Sequence, residues 1–129
     1  MNYQRSRHAV FLINYHFIFV PKYRKTILVG KIKKRLANLI QGYTDQQYLA
    51  ILTMEVIPDH VHLFLSTPPC ISPSQIAHGI KGRTSRILRQ EFPFLKRYKA
   101  FWSRSYFVGS SGNVSSETIR KYIEESQHL

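Results

Sequence analysis

The stretch YLAILTMEVIPDHVHLFLS, residues 48–66, holds two runs of strand-forming residues separated by Pro58-Asp59. Tyr48 to Ile57 and His60 to Ser66 are rich in β-branched and apolar side chains, and proline followed by aspartate suits a tight corner. Two strands joined so closely predict an antiparallel hairpin. Successive side chains of a strand point to opposite faces, so Val61, Leu63 and Leu65 turn inward while His60 and His62 emerge together on the other side. Two imidazoles on one face can close on a single divalent cation, with oxygen ligands from a third side chain, a substrate phosphate or water. Asp59 and Glu55 are the nearest carboxylates in sequence, although Asp59 serves equally to hold the turn or to orient His60. A His-x-His pair standing alone is more often structural than metal-binding.

Outward from the hairpin, the run HAVFLINYHFIFV from His8 to Val20 predicts a long strand ended by Pro21. The basic cluster Lys22-Tyr23-Arg24-Lys25 follows it. Val29, Ile32, Leu36, Leu39, Ile40 and Tyr43 recur at helical spacing and predict an amphipathic helix. After the hairpin, Ser72-Pro73 is an N-cap with proline at the first helical position, and the second helix reaches about Glu91, burying Ile76, Ile80, Ile87 and Leu88. Residues Ala100 to Val108 predict a fourth strand. Residues 109–113, GSSGN, predict a short, flexible, glycine-flanked link, and Ser115 caps a C-terminal helix with Glu117 in its first turn. The expectation is one domain over 1–129, with 1–7 a loose arm and 114–129 the last helix. The order β-α-β-β-α-β-α is the split β-α-β arrangement: an α+β, ferredoxin- or RRM-like antiparallel sheet with helices on one face and an added C-terminal helix.

Nineteen Lys and Arg against seven Asp and Glu leave a formal net charge of +12 on 129 residues. Such a charge on a small domain favours a polyanionic partner, nucleic acid before membrane. No stretch approaches the roughly 20 apolar residues of a membrane span, and the N-terminal residues lack the apolar core of a secretion signal. Cys70 is the single cysteine, so a Cys-rich zinc site and an intrachain disulfide are excluded, as expected of a cytoplasmic protein. His8, His16, His78 and His128 are scattered and read as structural or surface residues, although His16 lies on the first strand.

Tyr122, in Lys121-Tyr122-Ile123-Glu124, sits on the last helix beside Ile119 and Ile123. Eight tyrosines in the chain make a half-buried packing role the ordinary reading. A tyrosine can also attack phosphorus and hold DNA as a phosphodiester. With an unperturbed pKa near 10 it then needs activation, or a cation that polarises the phosphate.

Five segments together resemble the HUH single-tyrosine transposases of bacterial and archaeal insertion sequences. They are Tyr15-His16-Phe17-Ile18-Phe19-Val20-Pro21-Lys22-Tyr23-Arg24-Lys25, the hairpin from Met54 to Phe64, Lys81-Gly82, Trp102-Ser103-Arg104-Ser105-Tyr106-Phe107 with Gly112-Asn113-Val114, and Lys121-Tyr122-Ile123-Glu124. The resemblance covers residues 8 to about 127 in the family's order. It implies that His60 and His62 bind Mg²⁺ or Mn²⁺ and that Tyr122 forms a 5′-phosphotyrosine with a free 3′-OH, which later reverses the step without ATP. It also implies a homodimer acting on single-stranded DNA with hairpins near the element ends, without membrane or nucleotide cofactor, and a C-terminal helix that carries its tyrosine to the partner's histidines, with the link 109–113 as its hinge. The family's third metal ligand is a glutamine four residues after the tyrosine. Here that position is Ser126, and Gln127 follows it, turned by about 100° around a helix. Gln127 is the preferred third ligand, with Ser126, Glu125 and water as alternatives.

Lys22, Arg24, Lys25, Lys81, Arg83 and Arg86 are expected phosphate contacts. Two other readings compete: a non-catalytic RRM-like module binding single strands through sheet aromatics, and a relative of the transposases, either domesticated on genomic palindromes or acting as a nickase. The first has no use for two histidines on one strand face and a tyrosine beyond a hinge.

Overall fold

The computed structural model describes residues 4–5, 10–11, 13–110 and 116–126. A short ribbon pairs β1 (Gln4–Arg5) with β2 (Val10–Phe11). The main sheet contains β3 (Asn14–Phe19), β4 (Ala50–Ile57), β5 (His60–Ser66) and β6 (Phe107–Ser110), in the order β4-β5-β3-β6 with every pair antiparallel. Helices α1 (Gly30–Gln46), α2 (Pro73–Glu91) and α3 (Ser116–Ser126) complete it. This is the expected split β-α-β topology with an appended helix.

Strand alternation divides the side chains between two faces. Phe17, Phe19, Val61, Leu63 and Leu65 point into the core that α1 and α2 close with Leu36, Ile40, Ile76, Ile80 and Leu88. His16, Ile18 and Val20 of β3 and its continuation, with His60, His62 and Phe64 of β5, belong to the opposite face. There α3 lies down, Ile123 packing on Ile18 and Val20. The sheet thus carries structural helices on one side and the histidines with the tyrosine helix on the other.

Local signals explain most boundaries. Ser72 accepts from the Gln75 N–H at 3.1 Å while the Gln75 side chain accepts from the Ser72 N–H at 2.8 Å, a reciprocal cap with Pro73 in the first turn. Leu52, at a register shift between Ile51 and Thr53, bulges from edge strand β4. Where α1 meets α2, Gly79 lies against the buried Tyr43 ring so closely that a Cβ would overlap it. Gly79→Ala is therefore expected to lower stability by about 1–3 kcal/mol despite alanine's better helix propensity, as urea unfolding would measure.

Three expectations need correction. The strand predicted over His8–Val20 is broken: Val10–Phe11 joins the small ribbon, and only Asn14–Phe19 enters the main sheet. The arm predicted as loose contributes Gln4–Arg5 to that ribbon. The fourth strand begins at Phe107 rather than Ala100 and runs to Ser110, so Gly109 and Ser110 pair with β3 instead of belonging to a hinge. Residues 100–106 form a loop fastened from two sides. Its backbone meets the chain around Pro21 through Lys22 N–H to Phe101 C=O (2.9 Å) and Ser103 N–H to Val20 C=O (2.8 Å). From α2, the Trp102 indole donates to Thr84 Oγ1 at 2.9 Å. The aromatic alternation of this segment reflects anchorage around a single antiparallel bridge, Pro21 with Trp102, rather than a continuous strand. The remainder of the predicted hinge, residues 111–113, and the Ser115 cap lie outside the described residues. Among the described residues no helix is long and apolar enough to cross a membrane.

Candidate active site

β5 presents His60 and His62 on the face away from α1 and α2, their side chains 17% and 18% exposed. The corner before β5 sets the first of them. His60 Nδ1 lies 2.9 Å from Asp59 Oδ1, and the other Asp59 oxygen lies 3.6 Å from Arg24 Nε. A carboxylate oxygen accepts, so His60 donates from Nδ1, and in the neutral ring that leaves the lone pair on Nε2. A carboxylate behind an imidazole in this way fixes the ring and raises its basicity as a ligand. Asp59 thus both ends the hairpin turn and orients His60.

His62 has a different environment. Its Nε2 lies 3.0 Å from His16 Nδ1, and its Nδ1 is 3.9 Å from Glu55 Oε1. The His16 ring is stacked on Phe64 at 3.9 Å and is nearly parallel to His62 at 5.2 Å. A hydrogen bond between two neutral imidazoles needs one donor and one acceptor. When His62 donates from Nε2, its Nδ1 retains a lone pair. Burial first, then the His16 and His60 charges, hold the His62 pKa below its ordinary value, against an opposing pull from Glu55. The folded value lies below the unfolded value near 6.5, so the neutral ring stabilises the fold above that pH, and this contribution is lost as pH falls through the folded pKa. Urea midpoints taken on either side of about pH 6.5 should show the acid loss, and His62→Gln should reduce it.

Sequence reasoning treated His16 as structural. It belongs to the site, and its signal was parity. Ile18 pairs with His62 and His16 with Phe64, which puts His16 on the histidine face once β3 and β5 are neighbours.

Tyr122 shares this face but not this position. Its ring packs on Phe107 of β6 at 6.0 Å, and its hydroxyl lies 2.8 Å from Ser105 Oγ. β3 runs between β6 and β5, which puts those two strands about 10 Å apart at ordinary strand spacing. The tyrosine is therefore docked on the β6 side. Between α3 and the start of β5 is a cleft of about 300 Å³, walled by Arg24, Asp59 and His60 opposite Ile119, Arg120, Ile123 and Glu124.

The basic residues divide into two groups. Lys22 and Arg24 belong to a tight turn beside the cleft, with Lys25 following it. Lys81, Arg83 and Arg86 lie along α2. The Lys81 ammonium is 2.7, 3.2 and 3.3 Å from the carbonyl oxygens of Ser103, Arg104 and Ser105, and burial lowers its pKa. It clamps the loop that holds Ser105 against Tyr122, a role not visible in its sequence position. Arg83 bonds Gln46 and covers the Tyr43 ring. Arg86 lines an open basic groove with Arg89 and Lys96. Gln127 lies outside the described residues, and among those described no three His, Cys, Asp or Glu residues gather as a metal cluster.

The family model described as "Transposase IS200 like" matches residues 9–126. The ISDra2 transposase TnpA of Deinococcus radiodurans is 34% identical over 128 residues, covering 97% of this chain and 91% of that one. The transposase of insertion sequence element IS200 from Salmonella typhimurium is 31% identical over 120 residues, covering 91% and 78%. A crystal structure of a Deinococcus radiodurans transposase superposes with a TM-score of 0.85 at 31% identity, over 95% of this chain and 97% of that chain. A REP-associated tyrosine transposase bound to a REP hairpin shares the fold, with a TM-score of 0.60 at 15% identity over 94% of this chain and 68% of that one.

Proposed function

Because the chain belongs to the IS200-like transposase family, we propose that it cuts and rejoins single-stranded DNA at insertion-sequence ends through a covalent bond to Tyr122. The observation that carries this reading is the shared sheet face. Two strand histidines and a helix tyrosine stand on one side of the sheet, with the Arg24 cleft between α3 and His60.

His60, its Nε2 lone pair held outward by Asp59, and His62, in the tautomer that donates to His16, fit a divalent cation. The donor set, two imidazoles with positions left for oxygen, suits Mg²⁺ or Mn²⁺ beside a phosphate. Gln127 remains the preferred third protein ligand. Bound there, the cation supplies polarisation of the scissile phosphate and stabilises charge on the departing oxygen.

The chain's own step is nucleophilic. The Tyr122 oxygen, having given up its proton, forms a bond to phosphorus as the bond from phosphorus to the 3′ oxygen breaks. The products are a 5′-phosphotyrosine and a 3′ oxyanion, which takes up a proton from solvent to become the 3′-hydroxyl. Attack by another strand's 3′-hydroxyl reverses the exchange and returns Tyr122, so ligation needs no nucleotide cofactor. Arg24, at the cleft wall, is placed to hold a phosphate oxygen. The substrate has hairpins near the cut, a reading supported by the hairpin-bound relative of like fold, and the working form is a homodimer. Incubating the protein with labelled single-stranded element ends and Mg²⁺ tests the proposal. A covalent adduct that needs Tyr122 supports it, and tight binding with no adduct under any metal condition leaves the non-catalytic binding module instead.

A further inference from the structure

From the turn that carries Arg24, aromatic rings and cations alternate along the surface. Lys22 Nζ lies 5.1 Å and Lys25 Nζ 5.7 Å from the centre of the Tyr23 ring. Lys25 is also 4.2 Å from the Tyr98 ring centre, so it joins the two rings. The Arg97 guanidinium then lies 5.1 Å from Tyr98 and 5.9 Å from Phe94. The end rings are open to solvent, Tyr23 60% exposed and Phe94 50%. We infer that this strip is a track for unpaired nucleotides, taking bases on Tyr23, Tyr98 and Phe94 and phosphates on Lys22, Lys25 and Arg97.

Three observations carry the inference. First, Tyr23 and Arg24 have φ of 60° and 54°, a left-handed conformation that bulky side chains rarely adopt. Strain of this kind persists only where surrounding structure enforces it. Here Arg24 N–H bonds Pro21 C=O at 2.8 Å, and Lys22 N–H bonds Phe101 C=O at 2.9 Å. The turn holds a large ring outward where burial would be the ordinary outcome. Second, Lys22, Lys25 and Arg97 make no ion pair with a carboxylate among the described residues. Their charge is available to an external anion. Third, the chemistry selects the partner class. The core of a protein–protein interface is depleted in lysine, whereas rings interleaved with cations match bases and phosphates along a single strand. The strip starts beside Arg24, which also lines the His60 cleft, so a strand leaving the cleft meets Tyr23 first.

The inference rests on the single-stranded substrate proposed above and adds where its unpaired nucleotides run. The test uses the full chain and a labelled oligodeoxythymidylate, which forms no hairpin and exceeds the roughly 4–16 nucleotides one such site covers. Tyr23→Ala and Phe94→Ala should each weaken binding about fivefold or more, while Tyr23→Phe retains it. Photo-crosslinking of an iodouracil-substituted strand to the unaltered protein should label Tyr23 or Phe94, a readout independent of variant folding. Unchanged affinity in the double alanine variant, with crosslinks elsewhere, overturns the track. So does a changed oligomeric mass with unchanged affinity, which would make the strip a protein contact. Adduct formation on element ends, measured in parallel, separates the two proposals: an adduct with unchanged thymidylate affinity removes only the track, and weakened affinity without any adduct removes only the Tyr122 chemistry.

Discussion

Tyr122→Phe should abolish the covalent protein–DNA adduct, a loss of roughly 10⁴-fold or more on the scale seen when covalent nucleophiles are removed from other enzymes. The substitution deletes one oxygen and leaves the ring. That ring packs on Phe107 at 6.0 Å beside a helix anchored through Ile123, so α3 should keep its place. The 2.8 Å hydrogen bond to Ser105 is lost, worth about 1 kcal/mol of stability at most positions. DNA binding should be unchanged, because the cations proposed to meet phosphate lie elsewhere. A denaturing gel with labelled element ends reads the adduct, and a binding titration reads affinity. An adduct of equal yield in the phenylalanine variant would move the nucleophile to another residue and overturn the assignment.

Most of the scaffold was legible because local signals agreed with the global fold. Alternation over residues 48–66 placed the hairpin and put both histidines on one face. Helical spacing marked the buried stripes of α1 and α2, and Ser72-Pro73 marked where α2 begins. The segment from Ala100 to Tyr106 misled for a physical reason. It is held by a lysine and a threonine from α2: Lys81 donates to three backbone carbonyls, and Thr84 accepts from the Trp102 indole. A periodicity argument cannot see anchors twenty residues away. Ser105 was invisible for a related reason, since it becomes a site residue only through helix docking, while His16 on its strand was readable as a neighbour of the pair only once β3 and β5 were known to adjoin. Asp59 was readable as both turn former and orienter, and its 2.9 Å contact with His60 unites the two roles.

The separation of the functional groups has a mechanical consequence. His60 and His62 stand on β5, Tyr122 is docked by Ser105 and Phe107 on the β6 side, and β3 lies between. While Ile123 remains packed in the cluster of Ile18 and Val20, its neighbour Tyr122 is held on Ser105 and Phe107. The proposed chemistry is therefore expected to draw α3 from its seat, toward either its own histidines or the partner's. The seat is small. Among the described residues its apolar part is three buried side chains, with Phe107, Ile119 and Tyr122 partly buried around them, and uncovering that surface costs a few kcal/mol at about 25 cal/mol per Å² of apolar surface. Locking it should be decisive. With the exposed Cys70 replaced by serine, the pair Val20→Cys and Ile123→Cys places thiols on two side chains of one apolar cluster. Oxidised, this variant is expected to form no adduct while still binding DNA. Reduction should restore cleavage to the level of either single cysteine variant, which controls for altered packing. Full adduct formation in the oxidised, demonstrably crosslinked protein would mean that Tyr122 acts from where it is docked, and that the two sides of the sheet face work without motion of the helix.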